Sequence, residues 1–168
     1  FIGFRFWRII NLKKIYQKIK HIKGLTVILG GWQSSLNPEE CIKYADFLCV
    51  GEGEVAFYEL ISLLANNSPT DNVKNFWINK RGTVIKNSVR PLVADISSFP
   101  IPLFDHKYSH YIENDKLINY EPYFDNARYG TFVGRGCPKQ CTYCSNSYMA
   151  NAIYPISWAK IRYRSVDH

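Results

Sequence analysis

Leu25-Thr26-Val27-Ile28-Leu29-Gly30-Gly31 is a short, nearly unbroken apolar run that stops at two glycines. A run of this length without alternation predicts a strand buried on both faces. Upstream, apolar residues recur at Ile9, Leu12, Ile15, Ile19 and Ile22, which is helical spacing over residues 5–22, and Gly24 supplies the stop. Downstream, Asn37-Pro38-Glu39-Glu40 opens a second helix, with Asn37 as N-cap, Pro38 at the first helical position and Glu40 closing a capping box. Phe47-Leu48-Cys49-Val50 is a second short apolar strand, running into Gly51-Glu52-Gly53-Glu54. A third helix follows, with Phe57, Ile61 and Leu64 on one face, and it frays at Asn66-Asn67-Ser68-Pro69. Helix and strand alternating in this rhythm predict an α/β fold, a parallel sheet with right-handed crossovers. Ligands of such sheets sit beyond the carboxyl ends of the strands. Gly30-Gly31 and Gly51-Glu52-Gly53 stand at those ends, and glycines there let a bulky ligand approach the backbone; a tight turn with no ligand accounts for Gly-Gly equally well.

After Pro69 the pattern changes. Phe76-Trp77-Ile78-Asn79 and Thr83-Val84-Ile85-Lys86 flank Lys80-Arg81-Gly82, a hairpin with glycine in its turn. Pro91, Pro100 and Pro102 then hold an extended connector around Asp95-Ile96-Ser97-Ser98-Phe99 away from helix. Residues 105–128 are aromatic and irregular, and Glu113, Asp115 and Glu121 read as surface charges on the connector. Gly130-Thr131-Phe132-Val133-Gly134 is a short strand, and Tyr163-Arg164-Ser165 begins a further helix. The expected division is 1–68, 69–125 and 126–168, a piece cut from a longer chain at both ends.

The formal charge is +7, with lysines densest at Lys13, Lys14, Lys18, Lys20 and Lys23. These fall on a helix whose other face is apolar, so they read as a solvated face; no aromatic platform accompanies them to suggest nucleic-acid binding. Twelve Tyr, ten Phe and four Trp suit a substantial core and argue against disorder. No apolar run approaches the ~18 residues of a membrane span.

Three of the five cysteines lie in Gly134-Arg135-Gly136-Cys137-Pro138-Lys139-Gln140-Cys141-Thr142-Tyr143-Cys144, spaced C-x3-C-x2-C. Three thiolates on one short loop can hold three irons of a cubic cluster, and with no fourth cysteine nearby the last iron stays open to an outside ligand. A zinc site wants four ligands, and the nearest histidines in sequence, His110 and His168, are distant. A structural disulfide would need a secreted context and would leave one thiol over. Unpaired cysteines in a ligand pattern favour a reducing, cytoplasmic setting. Cys41 and Cys49, in the capped helix and a buried strand, read as core.

The Gly-Cys-Pro entry, the spacing and the aromatic before the third cysteine resemble the signature of radical S-adenosylmethionine (radical SAM) enzymes. The resemblance implies that Cys137, Cys141 and Cys144 bind a 4Fe–4S cluster, that SAM chelates the open iron, and that Tyr143 lies against the adenine. Reductive cleavage of SAM would then yield a 5′-deoxyadenosyl radical acting on a small-molecule substrate, with an electron donor such as flavodoxin or ferredoxin. Gly134 stands where a common form of the entry has serine. A strand ending in Gly-Gly, a strand ending in Gly-Glu-Gly-Glu, a linker and then the cysteine loop resembles, more narrowly, the cobalamin-binding radical SAM enzymes. That resemblance implies a partial Rossmann-like cobalamin domain over 1–68, with Gly30, Gly31, Gly51, Glu52 and Gly53 toward the cofactor. It also implies the first strand and cluster loop of a partial (β/α) TIM-like barrel over 126–168, in a methyltransferase or a ring-forming or rearranging enzyme. His21, His106, His110 and His168 do not fit a D-x-H-x-x-G motif, so none is assigned to cobalt. Two alternatives stand beside it: a methylthiotransferase-like radical SAM enzyme whose Rossmann-like domain binds no cobalamin, and an electron-transfer or zinc-stabilised interaction module.

Overall fold

A strand whose successive side chains are all apolar must be covered on both faces, because those side chains point alternately up and down. The computed structural model, which describes residues 2–3, 9–100, 111–113, 116–118, 133–155 and 157–165, is built around two such strands. In chain order the elements are β1 (Ile2–Gly3), α1 (Ile9–Ile19), β2 (Ile28–Gly30), α2 (Trp32–Leu36), α3 (Pro38–Cys41), β3 (Phe47–Cys49), α4 (Glu54–Ala65), β4 (Phe76–Lys80) and β5 (Thr83–Lys86). Then follow β6 (Tyr111–Glu113), β7 (Lys116–Ile118), β8 (Gly134–Arg135), α5 (Ser145–Tyr148) and β9 (Arg162–Tyr163). The chain divides into two compact units, Phe1–Val93 with Gly136–Ile161, and Ala94–Arg135 with Arg162–His168.

The first unit holds a five-stranded sheet in the order β1-β2-β3-β4-β5. Strands β1, β2 and β3 are parallel, with Ile28 opposite Phe47 and Leu29 opposite Leu48. The fold is thus a mixed α/β sheet of Rossmann-like character, as the helix–strand rhythm predicts. The hairpin forms, but it does not stand apart: β4 adds antiparallel to β3 and β5 to β4. Its alternation explains why. Phe76 and Ile78 are buried on one face, while Trp77 meets the other.

Alternation along β3 sorts the core into two layers. Leu48 and Val50 join Leu12, Val27, Leu29, Cys41 and Ile42 on one face. Phe47 and Cys49 join Ala56 and Leu60 of α4, with Val73, Phe76 and Ile78, on the other. Fully burying side chains such as Leu48, Leu60 or Phe76 is worth about 1.5–3 kcal/mol each. The lysines Lys13, Lys14, Lys18, Lys20 and Lys23 are exposed, as a solvated face requires.

Several local expectations are corrected. The first helix, described from Ile9, ends at Ile19 and not at 22, and Ile22 is exposed beyond its end; residues 5–8 lie outside the described residues. The strand begins at Ile28, since Val27 already spends its N–H on the Asp46 carboxylate at 2.7 Å. Asn37 does flank α3 with Pro38 inside it, but no capping box forms. The Glu40 carboxylate instead accepts from Lys43, 2.5 Å away, and from the Tyr44 hydroxyl. The buried stripe of α4 is Ala56 and Leu60, with Phe57 and Leu64 half-buried and Ile61 exposed. A short helix, α2, follows Gly31 where none was expected.

In the second unit Asp95 caps a turn of 3₁₀ helix over Ile96–Ser98, its carboxylate accepting the Ser97 N–H at 2.9 Å. β6 and β7 form an antiparallel hairpin within the stretch read as irregular. Tyr163 does not begin a helix: with Arg162 it pairs antiparallel to β8, whose Arg135 lies opposite Arg162. The Arg164 guanidinium donates to the Phe99 carbonyl at 3.0 Å, which ties the chain after β9 to the connector. Residues 130–132, Asp115 and Glu121 lie outside the described residues.

Burial pushes the Cys49 thiol up to about 12 and the Cys41 thiol up to about 11, from an ordinary 9.0. A thiol that keeps its proton longer folded than unfolded stabilises the fold below the unfolded value, and that contribution is lost as pH climbs from about 9 toward the folded value. Urea unfolding at pH 8 and pH 10.5 should show stability falling with a Cys49 share of at most about 1.4 kcal/mol per pH unit. Cys49→Ala should flatten that slope; an unchanged slope would show that the thiol is not held protonated.

Candidate functional site

Both glycine turns lie at the carboxyl ends of β2 and β3, where a parallel sheet presents its crevice. Gly30 is buried as the last residue of β2, and Gly31, exposed with φ 90°, leads into α2. Ser35 on α2 joins the two turns: its hydroxyl donates to the Gly31 carbonyl at 3.2 Å and accepts the Gly51 N–H at 2.9 Å. Asn75, 1% exposed and at φ 72°, supports the second turn from beneath. Its side-chain amide donates to the Val50 carbonyl at 2.8 Å and to the Glu52 carbonyl at 3.3 Å, while its oxygen accepts the Arg90 N–H at 3.1 Å.

The space above Gly51 is taken by Tyr154. A Cβ at Gly51 would fall 2.1 Å from the Tyr154 hydroxyl oxygen and 2.8 Å from its Cζ, and Gly51 sits at φ +84°. Glycine is therefore required here twice over, by conformation and by contact. The Tyr154 hydroxyl accepts the Glu52 N–H at 2.8 Å, and burial raises its pKa above the ordinary 10.0, so it is a neutral phenol at physiological pH. Tyr154 stacks on Trp158, ring centroids 5.8 Å apart and planes 12° apart. Trp158 in turn meets Trp32, the first residue of α2, edge-on at 6.2 Å.

Trp158 carries this contact into the cysteine loop, which belongs to the same compact unit. Its carbonyl accepts the Cys137 N–H at 3.0 Å, and its indole N–H donates to the Asn146 Oδ1 at 3.1 Å. Gly136, at φ +98°, passes so close that a Cβ would lie 2.6 Å from the Lys160 carbonyl oxygen and 2.7 Å from that of Trp158. The rest of the loop is tied locally. Cys144 N–H donates to the Cys141 carbonyl at 3.0 Å, and the Ser147 hydroxyl donates to the same carbonyl at 2.7 Å. Cys144 is the residue that leads into α5, and a π-helical turn over Met149–Ile153 continues toward Tyr154.

Cys137, Cys141 and Cys144 are all free thiols of intermediate exposure, whereas Cys41 and Cys49 are free and buried. Tyr143 is 91% exposed, so one whole face of its ring is open to a planar partner. The three cysteines lie on one loop, yet among the described residues no three Cys, His, Asp or Glu side chains are gathered closely enough to hold a metal ion. Thiols gain little from approaching one another without a metal, because binding the metal and closing the site are one event. In kind, number and exposure the donor set fits three-thiolate ligation of a cluster. Sequence reasoning did not find Ser35, Asn75, Tyr154 or Trp158. Only the glycine at 51 signalled that something must lie close there.

The chain is similar to methyltransferases. It is 28% identical over 130 residues to an uncharacterised methyltransferase of Pyrococcus horikoshii, covering 74% of this chain and 26% of that protein. It is 26% identical over 153 residues to the bacteriochlorophyllide d C-8(2)-methyltransferase of Chlorobaculum tepidum, covering 86% of this chain and 27% of that protein. The chain thus spans about a quarter of the length of the curated relatives it matches. No family model and no solved structure matches it. Among the described residues no helix is long and apolar enough to cross a membrane.

Tyr154→Phe keeps the stack on Trp158 and strands the Glu52 N–H, so it should cost about 1–3 kcal/mol in urea unfolding. Gly51→Ala forces a side chain into both a left-handed backbone and the phenol, and should cost more than Tyr154→Phe. A Gly51→Ala protein as stable as wild type would show that Tyr154 does not occupy this turn.

Proposed function

We propose that this chain carries the cluster- and SAM-binding loop of a radical SAM methyltransferase, set against a Rossmann-like sheet. The observation that carries the reading is the contrast among the cysteines: three half-exposed free thiols on one backbone-tied loop, against two buried ones. Methyl transfer as the reaction class is supported by the similarity to two methyltransferases. When bound, a 4Fe–4S cluster with an open iron would supply the electron that cleaves SAM to a 5′-deoxyadenosyl radical. Cys137, Cys141 and Cys144 would hold it. The exposed Tyr143 ring would lie against the adenine. Glu52, Gly53 and the Gly30-Gly31 turn would face a large cofactor at the sheet's carboxyl edge, cobalamin being the one this order of turns and cysteines resembles. Substrate reaches the reading only as a small molecule that accepts a methyl group.

A second reading, a radical SAM enzyme whose sheet takes no cobalamin, is favoured by one observation: Tyr154 already occupies the room above Gly51. Titrating the protein with hydroxocobalamin separates the two. Under the first reading Gly31→Val weakens binding and leaves the iron chromophore unchanged. No binding by the wild type at tens of micromolar, an affinity of only about −6 kcal/mol, would favour the second.

For the cluster, anaerobic reconstitution should load about four irons per chain. Cys137→Ala, Cys141→Ala and Cys144→Ala should each abolish SAM cleavage, while Cys41→Ala and Cys49→Ala keep the iron. Equal iron loss from Cys49→Ala and Cys141→Ala would overturn the assignment.

A further inference from the structure

We propose that Asn146 is a positioning residue for the Cys144 sulfur: its amide, aimed by the Trp158 indole, donates an N–H···S hydrogen bond that makes a centre bound there easier to reduce. The inference rests on the three-cysteine reading above. Asn146 Nδ2 lies 3.7 Å from the Cys144 sulfur, within reach of a hydrogen bond to sulfur. The opposite end of the same amide, Oδ1, accepts the Trp158 Nε1–H at 3.1 Å. An indole N–H donates and never accepts, so it can meet only the oxygen of the amide. Reversing the amide would oppose N–H to N–H at Trp158 and oxygen to sulfur at Cys144. The orientation is therefore dictated by donor and acceptor chemistry.

Trp158 is itself well anchored. It is 5% exposed, stacked on Tyr154 and edge-on to Trp32. Its backbone carbonyl holds the Cys137 N–H while its indole orients the amide at Cys144, so one buried residue acts on the first and last of the three cysteines. Cys141 is held by a separate, local set of bonds through Ser147. Hydrogen bonds to cluster sulfurs raise the reduction potential, because the added electron increases the negative charge on sulfur and a donor stabilises that charge. The step considered is uptake of one electron from a reductant such as dithionite, with no bond made or broken in the protein.

The test is a reductive titration of the anaerobically reconstituted protein with dithionite, followed by electron paramagnetic resonance, with iron counted in parallel. Asn146→Leu removes the donor at similar size, and Trp158→Phe keeps a stacking ring but loses the aim. With iron content unchanged, the ratio of reduced to oxidised centre at a fixed potential should fall roughly tenfold for Asn146→Leu, and in the same direction but less for Trp158→Phe. An Asn146→Leu ratio equal to wild type would overturn the role of Asn146 and leave the three-cysteine reading intact. Loss of iron from Asn146→Leu would make the residue a structural support and overturn the tuning role. A wild type that takes up no iron would overturn the cluster reading and this inference together.

Discussion

The hydrogen bond from the Glu52 N–H to the Tyr154 hydroxyl, 102 residues later, joins the two halves of the candidate site, with the Asn75 amide donating to the same hydroxyl at 3.5 Å. The backbone at the end of β3 turns sharply at Gly51, so the Glu52 amide cannot continue a strand ladder and needs a partner from elsewhere. Leaving such a half-buried donor unpaired costs about 1–3 kcal/mol. Closing so long a stretch of chain is entropically costly, and one hydrogen bond cannot offset it. The remainder comes from burial: Met149, Ala150, Tyr154 and Trp158 form their own apolar cluster, with Val89, Leu92 and Ile153 against it.

That arrangement separates what must be rigid from what must be reached. Tyr154 and Trp158 are buried and interlocked with α2, Asn75 and the glycine turns. Pro138, Lys139 and Gln140, at the tip between the first two cysteines, are exposed. Reactive side chains carried on a short loop over a fixed scaffold keep both access and position. Small residues matter at the joints. Gly51 leaves room for a phenol, and Gly136 lets the loop pass against the Trp158 and Lys160 carbonyls.

The two layers of core explain how so short a sheet holds such a platform. Strand β3 is only three residues long, yet its alternate side chains reach both layers, and its neighbours β2 and β4 do the same. The antiparallel β4 contributes twice. It covers the edge of β3, and the residue just before it, Asn75, sends its amide to the carbonyls of the Gly51 turn. The polar face of α1 carries Lys13, Lys14 and Lys18, all exposed to solvent.

Legible in the sequence were the features set by local chemistry: the alternation of helix and strand, the both-face burial of β2 and β3, the hairpin at Lys80-Arg81-Gly82, the core role of Cys41 and Cys49, and the clustering of three cysteines on one loop. Each follows from periodicity or from residues adjacent in the chain. The capping box failed because Lys43 and Tyr44 compete for the Glu40 carboxylate, and the face of α4 was misread because burial there follows Ala56 and Leu60, which pack against the sheet. The pairing of β4 onto β3, the strand at Arg162–Tyr163, and the roles of Ser35, Asn75, Tyr154 and Trp158 were decided by tertiary structure alone. All of them are contacts between residues remote in sequence, and no local pattern distinguishes a tyrosine that fills a glycine turn from one that simply lies in a core.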